Sequence, residues 1–439
     1  LCIDPCFERF GVAIDIGTTT LAANLFDKSG NLLASASDLN PQGRFGADVI
    51  SRIEASLDGK ADELASVICH ALDDMINELC ESAGIKTTEI DGAVITGNTA
   101  MLYLLNAFSP KALSRAPFIA DRYFGEDVSA DTLGLKALAP DTQIYLPPCI
   151  ASFVGADTVC AILASKMSQA GEISLLADIG TNGELVIGNN DWMISGAGAA
   201  GPALEGYISR FGMRAAAGAI DHVKIIDNEL SYTTIDDIKP IGICGSGIID
   251  LLAQMRIHGW INIAGKLETA ASSRIIYHNE EEQYVVIYAY AKESGIEKDL
   301  YFSQLDIDQY LDTKAAAYTM IDCLLDYAGI SAHDLGHCYL SGAFSAHSDL
   351  ESAITIGIFP DLERIRYSVL KNSSLEGAKT LLLNHTKLAE ANTLVENMYC
   401  VQFASIPDFL IKMQAAKFIP HTDMKRYPSI INLLKKSSA

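Results

Sequence analysis

Ile14-Asp15-Ile16-Gly17-Thr18-Thr19-Thr20 and Ala177-Asp178-Ile179-Gly180-Thr181-Asn182-Gly183 decide the reading of this 439-residue chain. Each is a short apolar run that ends in Asp-x-Gly-Thr, continues through hydroxyl- or amide-bearing residues and returns to an apolar run, over 21–26 in the first case and 184–187 in the second. The pattern predicts a strand, a tight turn and a returning strand. Glycine lets the backbone approach an anion closely, and successive N–H groups in such a turn form an anion-binding concavity. A carboxylate in the same turn would repel a bare phosphate, so its natural role is to hold a hydrated cation that bridges to that phosphate. Asp15 and Asp178 are therefore candidate catalytic and magnesium-holding carboxylates. Gly17, Thr18, Thr19 and Thr20, with Gly180, Thr181, Asn182 and Gly183, are candidate phosphate-cradling residues. One such hairpin is commonplace. Two copies about 160 residues apart imply an internal duplication whose halves grip one polyphosphate from both sides.

Composition narrows the partners. At 439 residues the chain is long enough for more than one domain. Hydrophobic residues make up 49% and the mean hydropathy is +0.20, enough for a large core and against wholesale disorder. A formal charge of −23 disfavours nucleic-acid binding by phosphate neutralisation and docking on anionic lipid. A nucleotide remains admissible, because turn dipoles and a metal act locally. The most apolar region, about 140–163, is broken by Pro147, Pro148 and Asp157, so no stretch is expected to span a bilayer. No leader pattern is read, and the expected location is cytoplasmic. Leu1 in place of Met implies a start inside a longer chain or after processing. The ten cysteines show neither C-x-x-C pairs nor zinc or ferredoxin spacing, and most read as buried thiols in a reducing compartment. Cys2 and Cys6 read as flexible terminal thiols.

Along the chain, strands are predicted over residues 10–16, 20–27 and 31–37. Helical spacing runs through 47–57 and 61–83, the second with Leu64, Ile68, Leu72, Met75, Ile76 and Leu79 on one face. A buried strand at 91–96 leads into a helix at 98–106, and an apolar helix at 153–167 closes the first half. Strands at 173–178 and 184–187 open the second half, followed by a glycine-rich loop to 218 and a strand at 223–226. Helices follow at 246–257, 306–328 and 349–356, with an inserted hairpin near 262–295. Beyond 404 mixed helices end in a basic tail (Lys425, Arg426, Lys435, Lys436), expected to be solvated and poorly tied. The implied division is an N-terminal segment 1–9, a first lobe 10–170, a second lobe 171–404 with an insertion near 262–300, and a helical tail 405–439. Alternating strands and helices in two similar halves predict an α/β fold of two lobes around a cleft, the expected ligand site.

Three further motifs carry chemistry. Ile243-Cys244-Gly245-Ser246-Gly247-Ile248 opens an apolar helix, where free N–H groups and the macrodipole favour an anion. Nucleotide contact by Gly245, Ser246 and Gly247 and a close-packed capping turn stand equally open. Residues 195–206 form a loop of small residues that ends in Glu205-Gly206; it fits around a ligand or flexes between lobes. Glu205 is a candidate to orient an attacking water, or a plain capping residue. Thr96-Gly97-Asn98-Thr99 joins a buried strand to a helix that Asn98 or Thr99 can cap.

The paired hairpins resemble those of the acetate and sugar kinase, heat-shock-cognate chaperone and actin superfamily. That resemblance implies duplicated ribonuclease-H-like lobes of the actin-like ATPase kind around an inter-lobe cleft. Within it, Ser341-Gly342-Ala343-Phe344 occupies the position of the adenosine motif, so Gly342, Ala343 and Phe344 are expected beside adenine. A narrower resemblance rests on Asn40-Pro41-Gln42 with Gly46-Ala47-Asp48-Val49-Ile50-Ser51-Arg52-Ile53, Thr96-Gly97-Asn98-Thr99-Ala100-Met101 and Leu146-Pro147-Pro148 with Phe153-Val154-Gly155-Ala156-Asp157. It extends through Gly201-Pro202-Ala203 with Glu205-Gly206, Gly212-Met213-Arg214-Ala215 and Gly242-Ile243-Cys244-Gly245-Ser246-Gly247. Together these are similar to the ATPase portion of the reductive activators of corrinoid proteins, from about residue 11 to about residue 412. The resemblance implies ATP and Mg²⁺ as cofactors, a corrinoid-binding protein as partner, and restoration of its cobalt from Co(II) to Co(I). In that family electrons arrive through an iron–sulfur domain. No cluster spacing is present here, so a cluster is expected only from an upstream part or a partner acting as electron donor. A homodimer is admissible; nucleic acid and membrane are not expected partners. The rival readings are a small-molecule kinase, which needs a base beside a substrate hydroxyl, and a non-redox ATP-dependent scaffold or chaperone of the same superfamily.

Overall fold

The computed structural model describes residues 3–180, 182–199, 201–206, 208–342 and 347–437, apart from the side chains at 202, 205 and 437. The expectations for Cys2, Thr181, Ala343, Phe344 and the Glu205 side chain lie outside the described residues. The chain divides into two compact units, neither continuous in sequence. One comprises Leu1–Leu176, Val186–Gly196 and Asn372–Val401; the other comprises Ala177–Leu185, Ala197–Lys371 and Gln402–Ala439.

In the first unit β1 (Phe10–Ile16) and β2 (Thr20–Asp27) pair antiparallel, from Phe10 opposite Asp27 to Ile16 opposite Leu21. Val12, Ala13, Ile14 and Ile16 are all buried, as a central strand covered on both faces requires. β3 (Leu32–Leu39), β4 (Ile90–Gly97), β5 (Glu126–Ser129) and β6 (Gln143–Leu146) complete a sheet of order β3-β2-β1-β4-β6-β5, with β4 parallel to both β1 and β6. Two helices, α1 (Val49–Ala55) and α2 (Ala61–Ala83), follow β3. The predicted face of α2 is buried in one cluster with β1 and β2, and Gly84 ends the helix in the left-handed conformation. After β4 comes α3 (Thr99–Leu105); α4 (Ala156–Ser165) starts later than expected, because Ile150 and Ala151 donate to the Val154 carbonyl and turn the chain first.

The second half supplies β7 (Ser174–Ile179), β8 (Asn182–Gly188), β9 (Met193–Ala199), β10 (Ala219–Ile226), β11 (Glu229–Thr234) and β12 (Gly242–Ile243). It continues with α5 (Gly245–Ile257), β13 (Ile275–His278), β14 (Gln283–Ala289), β15 (Leu300–Ser303) and α6 (Gln304–Ala328). Next come β16 (His337–Ser341), α7 (Leu350–Ile356), β17 (Tyr367–Val369), α8 (Ser373–Leu382) and β18 (Met398–Val401), before the C-terminal helices Phe409–Ala416 and Pro428–Ser437. A sheet of order β17-β16-β7-β8-β9-β18 contains the run β9-β8-β7-β16-β17, which repeats β3-β2-β1-β4-β6 of the first sheet. This repetition is the duplication that the paired motifs predicted, in an actin-like α/β fold. Two three-stranded sheets, β11-β10-β12 and β13-β14-β15, are added; the second begins within the stretch expected to hold a hairpin and has a third strand.

Three expectations change. Residues 195–199, expected in a loop, belong to β9, and their small size follows from packing: a Cβ on Gly198 would lie 2.5 Å from the Met320 sulfur. The C-terminal segment is tied down. Tyr427 is fully buried and donates to the Phe359 carbonyl (3.2 Å), while the Ser429 N–H and hydroxyl donate to Asp361 (2.7 and 2.6 Å). Arg426 also pairs with Asp322 (2.7 Å), and Lys435 and Lys436 occupy the last turn of a helix, the favourable end for cations. Cys6 is not loose either. Its N–H donates to the Leu382 carbonyl (2.9 Å) and its thiol to that of Leu381 (3.3 Å). Burial, then Asp127 and Asp4, pushes the Cys6 pKa up to about 11. Cys69, Cys80, Cys149, Cys160, Cys244, Cys323 and Cys338 are buried free thiols. Among the described residues no helix is long and apolar enough to cross a membrane.

Candidate functional site

The first turn is built by three segments distant from it in sequence. Gly17 N–H donates to the Thr20 carbonyl (3.0 Å) and closes the turn. A Cβ on Gly17 would lie 2.6 Å from that carbonyl oxygen, so the turn leaves no room for a side chain there. Asn40 Nδ2 donates to the Gly17 carbonyl (2.8 Å) and the Asn40 N–H to the Thr19 carbonyl (2.8 Å). Arg52 Nη2 donates to the Thr18 carbonyl (2.6 Å). Asn98 Nδ2 reaches the Thr18 hydroxyl (3.2 Å), while Asn98 Oδ1 accepts the Met101 N–H (2.9 Å) and caps α3, so one side chain serves both ends of the motif. The carbonyls of residues 17–19 are all engaged by this scaffold, which satisfies the acceptor side of the turn. Gly155 packs against Asn98 so closely that a Cβ on it would meet Asn98 Cα at 2.4 Å. Motifs spread from Asn40 to Gly155 thus converge on one turn.

Asp15, near the end of β1 and half-buried, accepts a hydrogen bond at Oδ1 from the Ser374 hydroxyl of α8 (2.9 Å). Asp178 stands at the corresponding place on β7. Burial pushes its carboxyl above the usual carboxylate range, opposed by a hydrogen bond from Ser341. Gly342 follows at φ +87°, and a Cβ there would lie 2.7 Å from Asp178 Oδ1 and 2.9 Å from the Ile179 carbonyl. The second turn closes by Gly180 N–H to the Asn182 carbonyl (2.8 Å), one residue tighter than the first. Gly183 faces Met320, whose Cε would be 2.8 Å from a Cβ there.

Gly245, Ser246 and Gly247 are buried at the start of α5. Ser246 Oγ lies 3.4 Å from Cys244 Sγ, and a Cβ on Gly247 would be 2.4 Å from the Ile220 carbonyl, so close packing alone requires that glycine. The described residues therefore form two local assemblies. One gathers Asp15, Gly17, Thr18, Thr19 and Thr20 with Asn40, Arg52, Asn98 and Ser374; the other gathers Asp178, Gly180 and Asn182 with Ser341 and Gly342. Each offers a carboxylate held by a serine hydroxyl beside a turn that opens on glycine, which fits a hydrated magnesium ion bridged to phosphate. Asn40 and Arg52 stand within motifs legible in the sequence, but their role as turn supports was not. Ser374 carried no local signal.

With this geometry in view, the chain matches the model of the RACo middle region over residues 10–170 and that of the C-terminal domain of RACo, the ASKHA domain, over residues 172–431. It is 32% identical over 416 residues to the corrinoid activation enzyme RamQ of Eubacterium limosum, covering 91% of this chain and 69% of that protein. It is 25% identical over 410 residues to the Co(II) methylated amine-specific corrinoid protein reductase of Methanosarcina barkeri, covering 86% of this chain and 71% of that protein. A solved structure of a reductive activator for a corrinoid, iron-sulfur protein aligns with a TM-score of 0.85 and 35% identity, over 97% of this chain and 68% of that one.

Proposed function

The chain belongs to the RACo family of reductive activators of corrinoid proteins, and from that premise we propose that it couples the binding and hydrolysis of magnesium-ATP to the return of a partner protein's corrinoid from Co(II) to Co(I). The observation that carries the reading is the convergence of Asn40, Arg52 and Asn98 on residues 17–19, a degree of support that an ordinary hairpin turn does not need.

In this reading Asp15, oriented by Ser374, and Asp178, oriented by Ser341, are each a carboxylate that would hold hydrated magnesium. Gly17, Thr18, Thr19 and Thr20 and the second set, Gly180, Thr181, Asn182 and Gly183, cradle the phosphates, with Gly17 and Gly180 shaping the turns that their own N–H groups close. Gly342, Ala343 and Phe344 face adenine, Gly245, Ser246 and Gly247 contact the nucleotide from the start of α5, and Glu205 orients the attacking water. When bound, magnesium-ATP supplies a cleavable phosphoanhydride and a divalent charge. Electrons reach the corrinoid from an iron–sulfur donor, on this polypeptide or on another. A ligand shifts an equilibrium only by its differential affinity for the two states. At about 59 mV per tenfold, moving a one-electron couple by ~150 mV takes roughly 3–4 kcal/mol, near or slightly above the usual range of allosteric coupling.

The test mixes the protein with a corrinoid protein poised at Co(II) and a low-potential reductant, and follows Co(I) absorbance. The expected result is an ATP-dependent rise with the wild type and none with Asp15→Ala, whose far-UV spectrum stays native. Unchanged ATP hydrolysis in Asp15→Ala rejects the metal assignment, and ATP-independent Co(I) formation rejects the coupling.

A further inference from the structure

Arg52 is only 1% exposed, on the short helix α1. Its guanidinium donates to the Gly46 carbonyl (2.9 Å), the Thr18 carbonyl (2.6 Å) and the Met101 sulfur (3.4 Å), all of them neutral. Among the described residues no carboxylate forms an ion pair with it. Asp48 acts on it only through space: that side chain is exposed and caps α1 by accepting the Ser51 N–H (2.8 Å). Burial lowers the Arg52 pKa to about 10, against the opposing pull of Asp48, so the group stays charged at neutral pH.

Burying an ion without a counter-ion is costly, several kcal/mol in order of magnitude. Tying down backbone carbonyls does not call for that expense. Gln42, equally buried in the same region, holds the Leu64 carbonyl (3.0 Å) with a neutral amide. A permanent charge placed directly behind Thr18 is explained when its counter-ion arrives with the ligand, since a bound anion within the low-dielectric interior interacts with it strongly.

We propose that Arg52 is a positioning residue of the first phosphate turn, fixing the Thr18 carbonyl and setting a buried positive charge behind residues 17–20, so that it favours a polyphosphate over a neutral nucleoside. The proposal rests on the reading of that turn as a phosphate site, and it assigns a role to a residue outside the turn itself.

The test uses the full chain with Arg52→Gln, which keeps an amide donor without the charge, and Arg52→Lys, which keeps the charge on a different donor geometry. Affinities for magnesium-ATP and for adenosine are measured by calorimetry, together with the rise in melting temperature that magnesium-ATP induces in each protein. Arg52→Gln is expected to weaken magnesium-ATP about tenfold or more and to shrink the ligand-induced rise, with adenosine affinity unchanged within about twofold; Arg52→Lys is expected to fall between it and wild type. A merely structural arginine would lower the melting temperature and weaken both ligands alike, and that result, or no loss for either, overturns the proposal. If Arg52→Gln does not fold, Arg52→Lys decides, because equal losses for ATP and adenosine in that variant are also fatal. Wild type that binds no magnesium-ATP would instead sink the reading of the turn, and this proposal with it.

Discussion

Gly342→Ala offers a quantitative test of how Asp178 is held. Gly342 has φ +87°, and its missing Cβ would lie 2.7 Å from Asp178 Oδ1 and 2.9 Å from the Ile179 carbonyl. Two costs follow. The left-handed backbone costs a residue with a Cβ about 1–2 kcal/mol, and crowding two oxygens adds about 1–3 kcal/mol. Gly329→Ala isolates the first. Gly329 lies in the same unit, ends α6 at φ +69°, and would have nothing within 4 Å of its Cβ. The gain from a less flexible unfolded chain is common to both variants and cancels. In urea titrations Gly342→Ala should therefore lose about 1–3 kcal/mol more than Gly329→Ala. Relief of the crowding must displace Asp178 or Ile179, so Gly342→Ala should also weaken magnesium-ATP binding, while Gly329→Ala leaves it unchanged. Equal destabilisation by the two variants, with equal nucleotide affinity, would refute the claim that Gly342 is required by its contact with Asp178.

Ser374→Ala removes the 2.9 Å hydrogen bond to Asp15 without touching the turn. The expected loss is about 1 kcal/mol, read as a several-fold rise in the magnesium concentration for half-maximal ATPase with a smaller change in kcat; an unaltered magnesium dependence would remove Ser374 from the site. Stability should fall on acidification through His421. Burial, then Arg426 and Lys314, depresses its pKa from 6.5 to about 4, and Nδ1 accepts the Asp423 N–H (2.9 Å), a bond only the neutral ring can make. Between those values the unfolded chain binds more protons, so this contribution is complete above pH 6.5 and is lost towards pH 4, up to roughly 3 kcal/mol. His421→Asn should flatten that part of a urea-denaturation pH profile, and an identical slope in the variant would exclude His421 as its source.

Local chemistry made much of the fold readable. β1 and β2 follow from two apolar runs separated by a glycine turn, and the buried face of α2 follows from helical spacing. The duplication was visible because Asp15 and Asp178 sit in the same short pattern, which recurs as the same strand order in two sheets. Packing partners were not visible in this way. Residues 195–199 look like a flexible loop because small residues have little periodicity, yet Met320 across the strand makes smallness a requirement of β9. The basic tail looks solvated until Tyr427 and Ser429 meet Phe359 and Asp361.

The sequence by itself determined that the chain carries two Asp-x-Gly-Thr strand-turn-strand segments on duplicated α/β scaffolding, because strand, turn and helix signals act within a few residues. Only the tertiary structure decided what orients those turns. Ser374 lies 359 positions from Asp15, and Arg52 lies 34 from Thr18. A hydrogen bond over such a separation leaves no periodic trace in the chain, since it depends on where several elements have packed.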